Sequence, residues 1–188
     1  MKLLIVDNGS KYMNALKKSL APHSLKVVAY NKLSKNSARG CGGIILSGGH
    51  TIFVEGNDAA LAKEVQLIET AEVPVLGICY GFELLAHMLG AKLVEMPQVS
   101  KGVLEIEVKR ENVLFGDLSR VDVFENHRFV VVAPVPAMTV LASSKDGVEA
   151  FQYGDRQVYG VQFHPEMFVE KTHGQKILDN FLSVCEAV

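Results

Sequence analysis

The chain reads as an α/β domain of three layers, with a largely parallel central sheet and added antiparallel strands. Three observations predict this. In the first half, short apolar runs at Lys2–Val6, Leu25–Tyr30, Ile44–Leu46 and Val73–Leu76 are continuous rather than alternating, as in strands covered on both faces. Between them lie stretches with helical spacing. From Lys92 onward the pattern changes to short alternating segments, the mark of half-exposed antiparallel strands.

In order, Lys2–Val6 is a buried strand closed by the turn Asp7-Asn8-Gly9. Ser10 is placed to cap a helix whose Tyr12, Met13, Leu16 and Leu20 share a face, ending before Pro22. The polar stretch 31–39 lacks a period. Ile44–Leu46 is a short strand that delivers Ser47-Gly48-Gly49-His50 as a loop, and 57–71 forms a helix with Leu61, Val65, Leu67 and Ile68 on its apolar side. A second helix ends at Gly90, a C-terminal glycine. Val103–Val108, Val121–Phe124, Thr139–Ala142, Val148–Tyr153 and Gln157–Phe163 are strands, with a hairpin turn at Gly154-Asp155 and a polar loop at Glu125–Phe129. The last segment, 171–188, is a packing helix with Ile177, Leu178, Phe181, Leu182 and Cys185 inward. No linker or repeat interrupts 1–188, so one domain is expected.

Composition narrows the chemistry. A net charge of −2 gives no electrostatic case for nucleic acid or an anionic membrane. The three cysteines, Cys41, Cys79 and Cys185, are too few and too far apart for a disulfide framework, which predicts a reduced compartment. No run approaches a membrane span and the first residues enter a strand directly, so a cytoplasmic protein is expected. The six histidines form no ligand spacing with each other or with cysteine, so no metal is expected. No phosphate-binding loop of the Walker type is present.

The chemistry gathers at Gly77-Ile78-Cys79-Tyr80-Gly81, a G-x-C-x-G turn between strand and helix. Its serine counterpart is the nucleophile elbow, a strained turn that exposes the nucleophile above the sheet. A helix N-terminus also favours a thiolate. Downstream, Val161-Gln162-Phe163-His164-Pro165-Glu166 ends a strand in a histidine and a carboxylate held by proline. A nucleophilic cysteine needs a base, and the base needs an orienting group; His164 and Glu166 can supply both. Glycines in Ser47-Gly48-Gly49 leave N–H groups free to meet an oxyanion.

Taken together, the elbow, the Ser47-Gly48-Gly49 loop and the His-Pro-Glu end resemble the class I glutamine amidotransferase family, over nearly the whole chain. The resemblance implies a flavodoxin-like fold and a triad of Cys79, His164 and Glu166 that hydrolyses the side-chain amide of glutamine. It implies an oxyanion hole from the N–H groups of Gly49 and Tyr80, and substrate contacts from Gly48, Glu83, Asn126 and His127. Two positions depart from the family pattern, His50 where proline is usual and Glu83 where glutamine is usual. A carboxylate at Glu83 would raise the cysteine pKa and, when ionised, only accept hydrogen bonds.

By the same resemblance, this chain needs no cofactor, and the ammonia passes to an ATP-dependent synthase subunit that would hold ATP and Mg. The Val6–Gly9 opening, the Glu125-Asn126-His127 block and Thr172-His173-Gly174-Gln175 are most similar to glutaminase subunits serving GMP synthase, whose partner is an ATP-pyrophosphatase. Glutaminase subunits of anthranilate or aminodeoxychorismate synthase are the alternatives within the family. Gly81-Phe82-Glu83 also resembles the γ-glutamyl hydrolase branch, and a non-catalytic regulatory homologue is the remaining alternative.

Overall fold

Apolar runs and helical stripes condense into one ordered succession in the computed structural model, which describes residues 1–49 and 51–187. The elements are β1 (Lys2–Asn8), α1 (Met13–Ser19), β2 (Ser24–Ala29), β3 (Gly43–Gly49), α2 (Asp58–Glu69), β4 (Val75–Ile78) and α3 (Tyr80–Met88). They continue with β5 (Val94–Val108), β6 (Arg120–Val130), β7 (Met138–Ser143), β8 (Val148–Tyr153), β9 (Val158–Val161) and α4 (Gly174–Glu186). The nine strands form one sheet in the order β2-β1-β3-β4-β9-β8-β7-β5-β6. From β2 to β9 neighbouring strands are parallel; from β9 to β6 they are antiparallel. The mixed sheet is the one expected.

Alternation along each strand sorts the core into two layers. Leu3, Ile5, Ile45, Leu76 and Val161 face one side, against Leu16 and Leu20 at α1 and Ile177, Leu178 and Phe181 of α4. Leu4, Val6, Ile44, Leu46 and Val75 face the other, against Leu61 and Ile68 of α2 and Leu84 and Leu85 of α3. With both faces covered, ligands are left the carboxyl ends of the parallel strands. There Asn8, Gly49 and Cys79 come side by side, and His164 follows β9.

Two loops expected from sequence are strand. Ser47–Gly49 continues β3, pairing Gly49 with Asn8 across a register shift in β1. Glu125–Phe129 lies inside β6, where Glu125, Asn126 and His127 pair with Gly102, Lys101 and Ser100 of β5. The partner strand is hidden by its own sequence. β5 runs through Pro97 and Gly102, and the pairing slips between Glu95 and Ser100, around the proline that cannot donate to a ladder. Ser10 does not cap the first helix, which starts at Met13; its Oγ accepts from the Tyr12 N–H at 3.1 Å, forming a turn ahead of the helix. His50 and Val188 lie outside the described residues.

The packing of α3 on the sheet depends on Gly81. A methyl group there would stand 2.6 Å from the Leu46 carbonyl oxygen, which is backbone and cannot swing aside. Gly81→Ala is expected to cost about 1–3 kcal/mol of unfolding free energy in denaturant titration, the usual range for overpacking. Wild-type stability in that variant would contradict the close approach.

Candidate active site

β4 ends at Ile78 and α3 begins at Tyr80, so the whole reversal falls on Cys79, at φ 49° and ψ −98°. A side chain rarely adopts this backbone, and the cost is of order 1–3 kcal/mol. Neighbouring contacts hold it there. The Cys79 N–H donates to the Val161 carbonyl at 2.8 Å, and the Glu83 N–H donates to the Cys79 carbonyl at 2.9 Å. A methyl group at Gly77 would lie 2.6 Å from the Gly81 backbone, so both glycines of the motif are required by the turn. The sequence reading of an elbow agrees with this geometry.

His164 follows β9, and its N–H donates to the Phe124 carbonyl at 2.8 Å, which fixes the strand end against β6. The ring Nδ1 is 2.9 Å from Glu166 Oε1, both side chains being buried. With that nitrogen donating to a carboxylate, Nε2 keeps the basic lone pair. Two neighbours hold the ring from its sides. Tyr12 meets it edge-on with centroids 4.7 Å apart. Gly48 lies so close that a methyl group there would be 2.7 Å from Cε1. The Cys79 Sγ hydrogen bond is made to the Asn126 carbonyl, at 3.9 Å, rather than to His164. Cys79 and His164 therefore line one cavity without a hydrogen bond between them.

The electrostatics run against the sequence expectation of a thiolate at rest. The Cys79 pKa is pushed well above its ordinary value, first by burial, then by the charges of Glu83, Glu125 and Glu166. The Tyr80 N–H, pointed at the sulfur, pulls the other way and is outweighed. A helix end favours an anion only where water or cations do not have to be replaced by apolar walls and carboxylates. Burial and the acidic neighbours together disfavour the thiolate in this site.

A cavity of about 650 Å³ opens over these groups, and Cys79, His164, Gly49, Tyr80, Glu83, Asn126 and His127 all line it. Of the remaining expected residues, Glu166 stands behind His164 and Gly48 against the imidazole ring. Asn126 is already engaged, its Nδ2 donating to the Tyr12 hydroxyl at 3.0 Å. His127 is held on both sides, Nδ1 by the Phe129 carbonyl at 2.9 Å and Nε2 by Glu125 at 3.0 Å. Glu83 is buried, and burial pushes it up to about 7 against the pull of the nearby His127. A carboxyl raised to about 7 is able to hold its proton near neutral pH, and then donates as well as accepts.

Sequence reasoning misses Tyr12, whose spacing puts it on an apolar helical stripe, and a buried group behind the cavity. Ligand-type atoms of Glu125, His127 and Glu149 lie within 4.8 Å of one another, on β6 and β8. Among the described residues these three could hold a metal ion, and no spacing along the chain announces them. Burial raises Glu125 to about 7 and Glu149 to about 8, and Ser144 Oγ donates to Glu149 at 2.6 Å.

Removing the Glu83 charge should ease ionisation of the thiol. Glu83→Gln is expected to move the pH profile of Cys79 alkylation, followed on its own peptide, to lower pH. An unmoved profile would show that the carboxyl does not act on the sulfur.

A strained cysteine, an imidazole–carboxylate pair and an N–H aimed at the sulfur are equipped for acyl transfer from an amide. Comparison with known proteins agrees with that chemistry. The family model described as glutamine amidotransferase class-I matches residues 4–185. Among curated relatives, a protein of Pyrococcus abyssi named as one subunit of the glutamine-hydrolyzing GMP synthase is 33% identical, the match covering 97% of this chain and 98% of the relative. The glutamine-hydrolyzing GMP synthase of Bacillus licheniformis is 34% identical over 99% of this chain but only 37% of its own length. The crystal structure of a candidate GMP synthase subunit from Thermoplasma acidophilum superposes with a TM-score of 0.89 at 29% identity, covering 100% of this chain and 94% of the other. A glutamine amidotransferase from Thermotoga maritima shares the fold, with a TM-score of 0.74 at 21% identity, covering 100% of this chain and 83% of the other. The chain belongs to the class-I glutamine amidotransferase family.

Proposed function

We propose that this chain is the glutamine-hydrolysing component of a GMP synthase, releasing ammonia for a separate ATP-dependent synthase subunit. The observation that carries the reading is the end-to-end match to proteins named as single subunits of that synthase, 97% of this chain against 98% of the relative. The match to the longer Bacillus protein is confined to 37% of its length, leaving room there for acceptor chemistry.

Glutamine enters the cavity with its side-chain amide over Cys79. The sulfur leaves the Asn126 carbonyl, gives its proton to His164 Nε2 and attacks the amide carbon. The new oxyanion is met by the N–H groups of Gly49 and Tyr80. The imidazolium, stabilised by Glu166, then protonates the departing nitrogen, and ammonia leaves a γ-glutamyl thioester on Cys79. Water, deprotonated by the same imidazole, attacks the thioester; glutamate departs and the thiol is restored. Glu83, Asn126 and His127 face the amino-acid end of the substrate. Gly48 serves by letting the imidazole lie against the loop. The ATP and Mg of the synthesis reaction belong to the partner, and nothing in this scheme calls for a cofactor here.

Cys79→Ser and His164→Ala are each expected to lower glutamine hydrolysis by at least about three decades in the presence of the synthase subunit, ATP and xanthosine monophosphate. Cys41→Ser and Cys185→Ser should stay within about twofold of wild type, since both thiols lie in the core and neither lines the cavity. Near-wild-type ammonia release by Cys79→Ser would overturn the mechanism. Cleavage of γ-glutamyl peptides without any partner, with no stimulation by it, would overturn the synthase assignment in favour of a stand-alone hydrolase.

A further inference from the structure

One wholly buried carboxyl has no part in that scheme. Glu64 lies on the inward side of α2 beside Leu61, Leu67 and Ile68, with 0% of its surface exposed. No lysine, arginine or histidine pairs with it among the described residues. Burying an ionisable group among apolar side chains is costly, and burial pushes this one up to about 7. A leucine would fill the position at lower cost, so its contacts need an explanation.

They lead to the Gly49 side of the oxyanion hole. Oε1 accepts from Asn8 Nδ2 at 3.0 Å, and the same Nδ2 lies 3.3 Å from the Ser47 carbonyl. The Asn8 N–H donates to Ser47 Oγ at 3.0 Å, and that hydroxyl donates to the Gly48 carbonyl at 2.8 Å. Beyond the loop, Thr51 Oγ1 donates to the Asn8 carbonyl at 3.1 Å. Asn8 therefore grips the loop before and after Gly49, whose Cα packs so tightly that a methyl group would run into the Asn8 carbonyl.

We propose that Glu64 is a positioning residue for the oxyanion hole, fixing the Gly49 N–H through Asn8. This rests on the reading of the site as a glutamine hydrolase. Glu64 touches neither substrate nor sulfur, and its effect is confined to the step in which negative charge develops on oxygen.

The test compares Glu64→Leu, which has no acceptor for Asn8, with Glu64→Gln, which keeps one. Glutamine hydrolysis is measured with the synthase subunit present, together with the rate at which iodoacetamide alkylates Cys79, followed on its own peptide. Alkylation at a saturated carbon develops no oxyanion, so it does not use the hole. Glu64→Leu should lose at least about tenfold in kcat with KM within about twofold, and Glu64→Gln should recover kcat to within about threefold. Cys79 alkylation should match wild type in both. Unchanged kcat in Glu64→Leu, or parallel losses of kcat and alkylation in both variants, would overturn the proposal. Should Glu64→Leu fail to fold, Asn8→Ala cuts the same link from the other end and must show the same loss confined to kcat. Absence of glutamine hydrolysis by the wild-type pair would instead count against the underlying reading.

Discussion

The positive φ of one residue, Cys79 at 49°, is the constraint around which the carboxyl end of the parallel strands is arranged. Its backbone is unfavourable alone and persists because the two layers of core over-determine it. β4 holds the chain before it, α3 the chain after it, and both are pinned by glycines that admit no methyl group. Once that turn is set, β3 on one side must end in Gly49 and β9 on the other must lead to His164. The meeting of Gly49, Cys79 and His164 is thus a consequence of strand order: β3, β4 and β9 are neighbours in the sheet though far apart along the chain.

The surroundings of that turn are dry and acidic. Glu64 and Glu83 are raised to about 7 from 4.5, and Glu149 to about 8, each chiefly by burial. The folded chain therefore keeps protons that the unfolded chain has lost, and these carboxyls weaken the fold as pH rises from about 4.5 through their folded values. The same setting disfavours the thiolate, and the Cys79 thiol donates to the Asn126 carbonyl. A thiol whose ionisation is disfavoured is slow to react with oxidants and stray electrophiles, which need the anion.

Local chemistry is readable along the chain, and long-range chemistry is not. Cys79 declares itself through two glycines at fixed spacing, and His164 and Glu166 through a proline between them. The parallel half of the sheet follows from continuous apolar runs. The β5–β6 ribbon follows only in part: Val103–Val108 and Val121–Phe124 read as strands, whereas Pro97 and Gly102 disguise the first half of β5 and the polar Glu125–Phe129 half of β6 reads as a loop. Tyr12 looks like one more apolar position on a helix; its role comes from the His164 ring it meets across the fold. Glu64 sits in a helical stripe read from its apolar neighbours, and Glu125 and Glu149 meet only when β6 and β8 close over His127. The upward shift of Cys79 is half legible for a related reason: Glu83 lies one helical turn away and is read from the sequence, whereas burial, Glu125 and Glu166 are properties of the assembled site.

The central claim is that Cys79 takes the acyl group of glutamine. It is tested most directly by rapid acid quenching of the protein during turnover with glutamine and the synthase subunit, followed by peptide mass spectrometry. A γ-glutamyl thioester should appear on the Cys79 peptide, disappear on treatment with hydroxylamine, and be absent from the Cys41 and Cys185 peptides. Steady ammonia release with no adduct on Cys79, in a quench fast enough to sample the first turnover, would contradict the account.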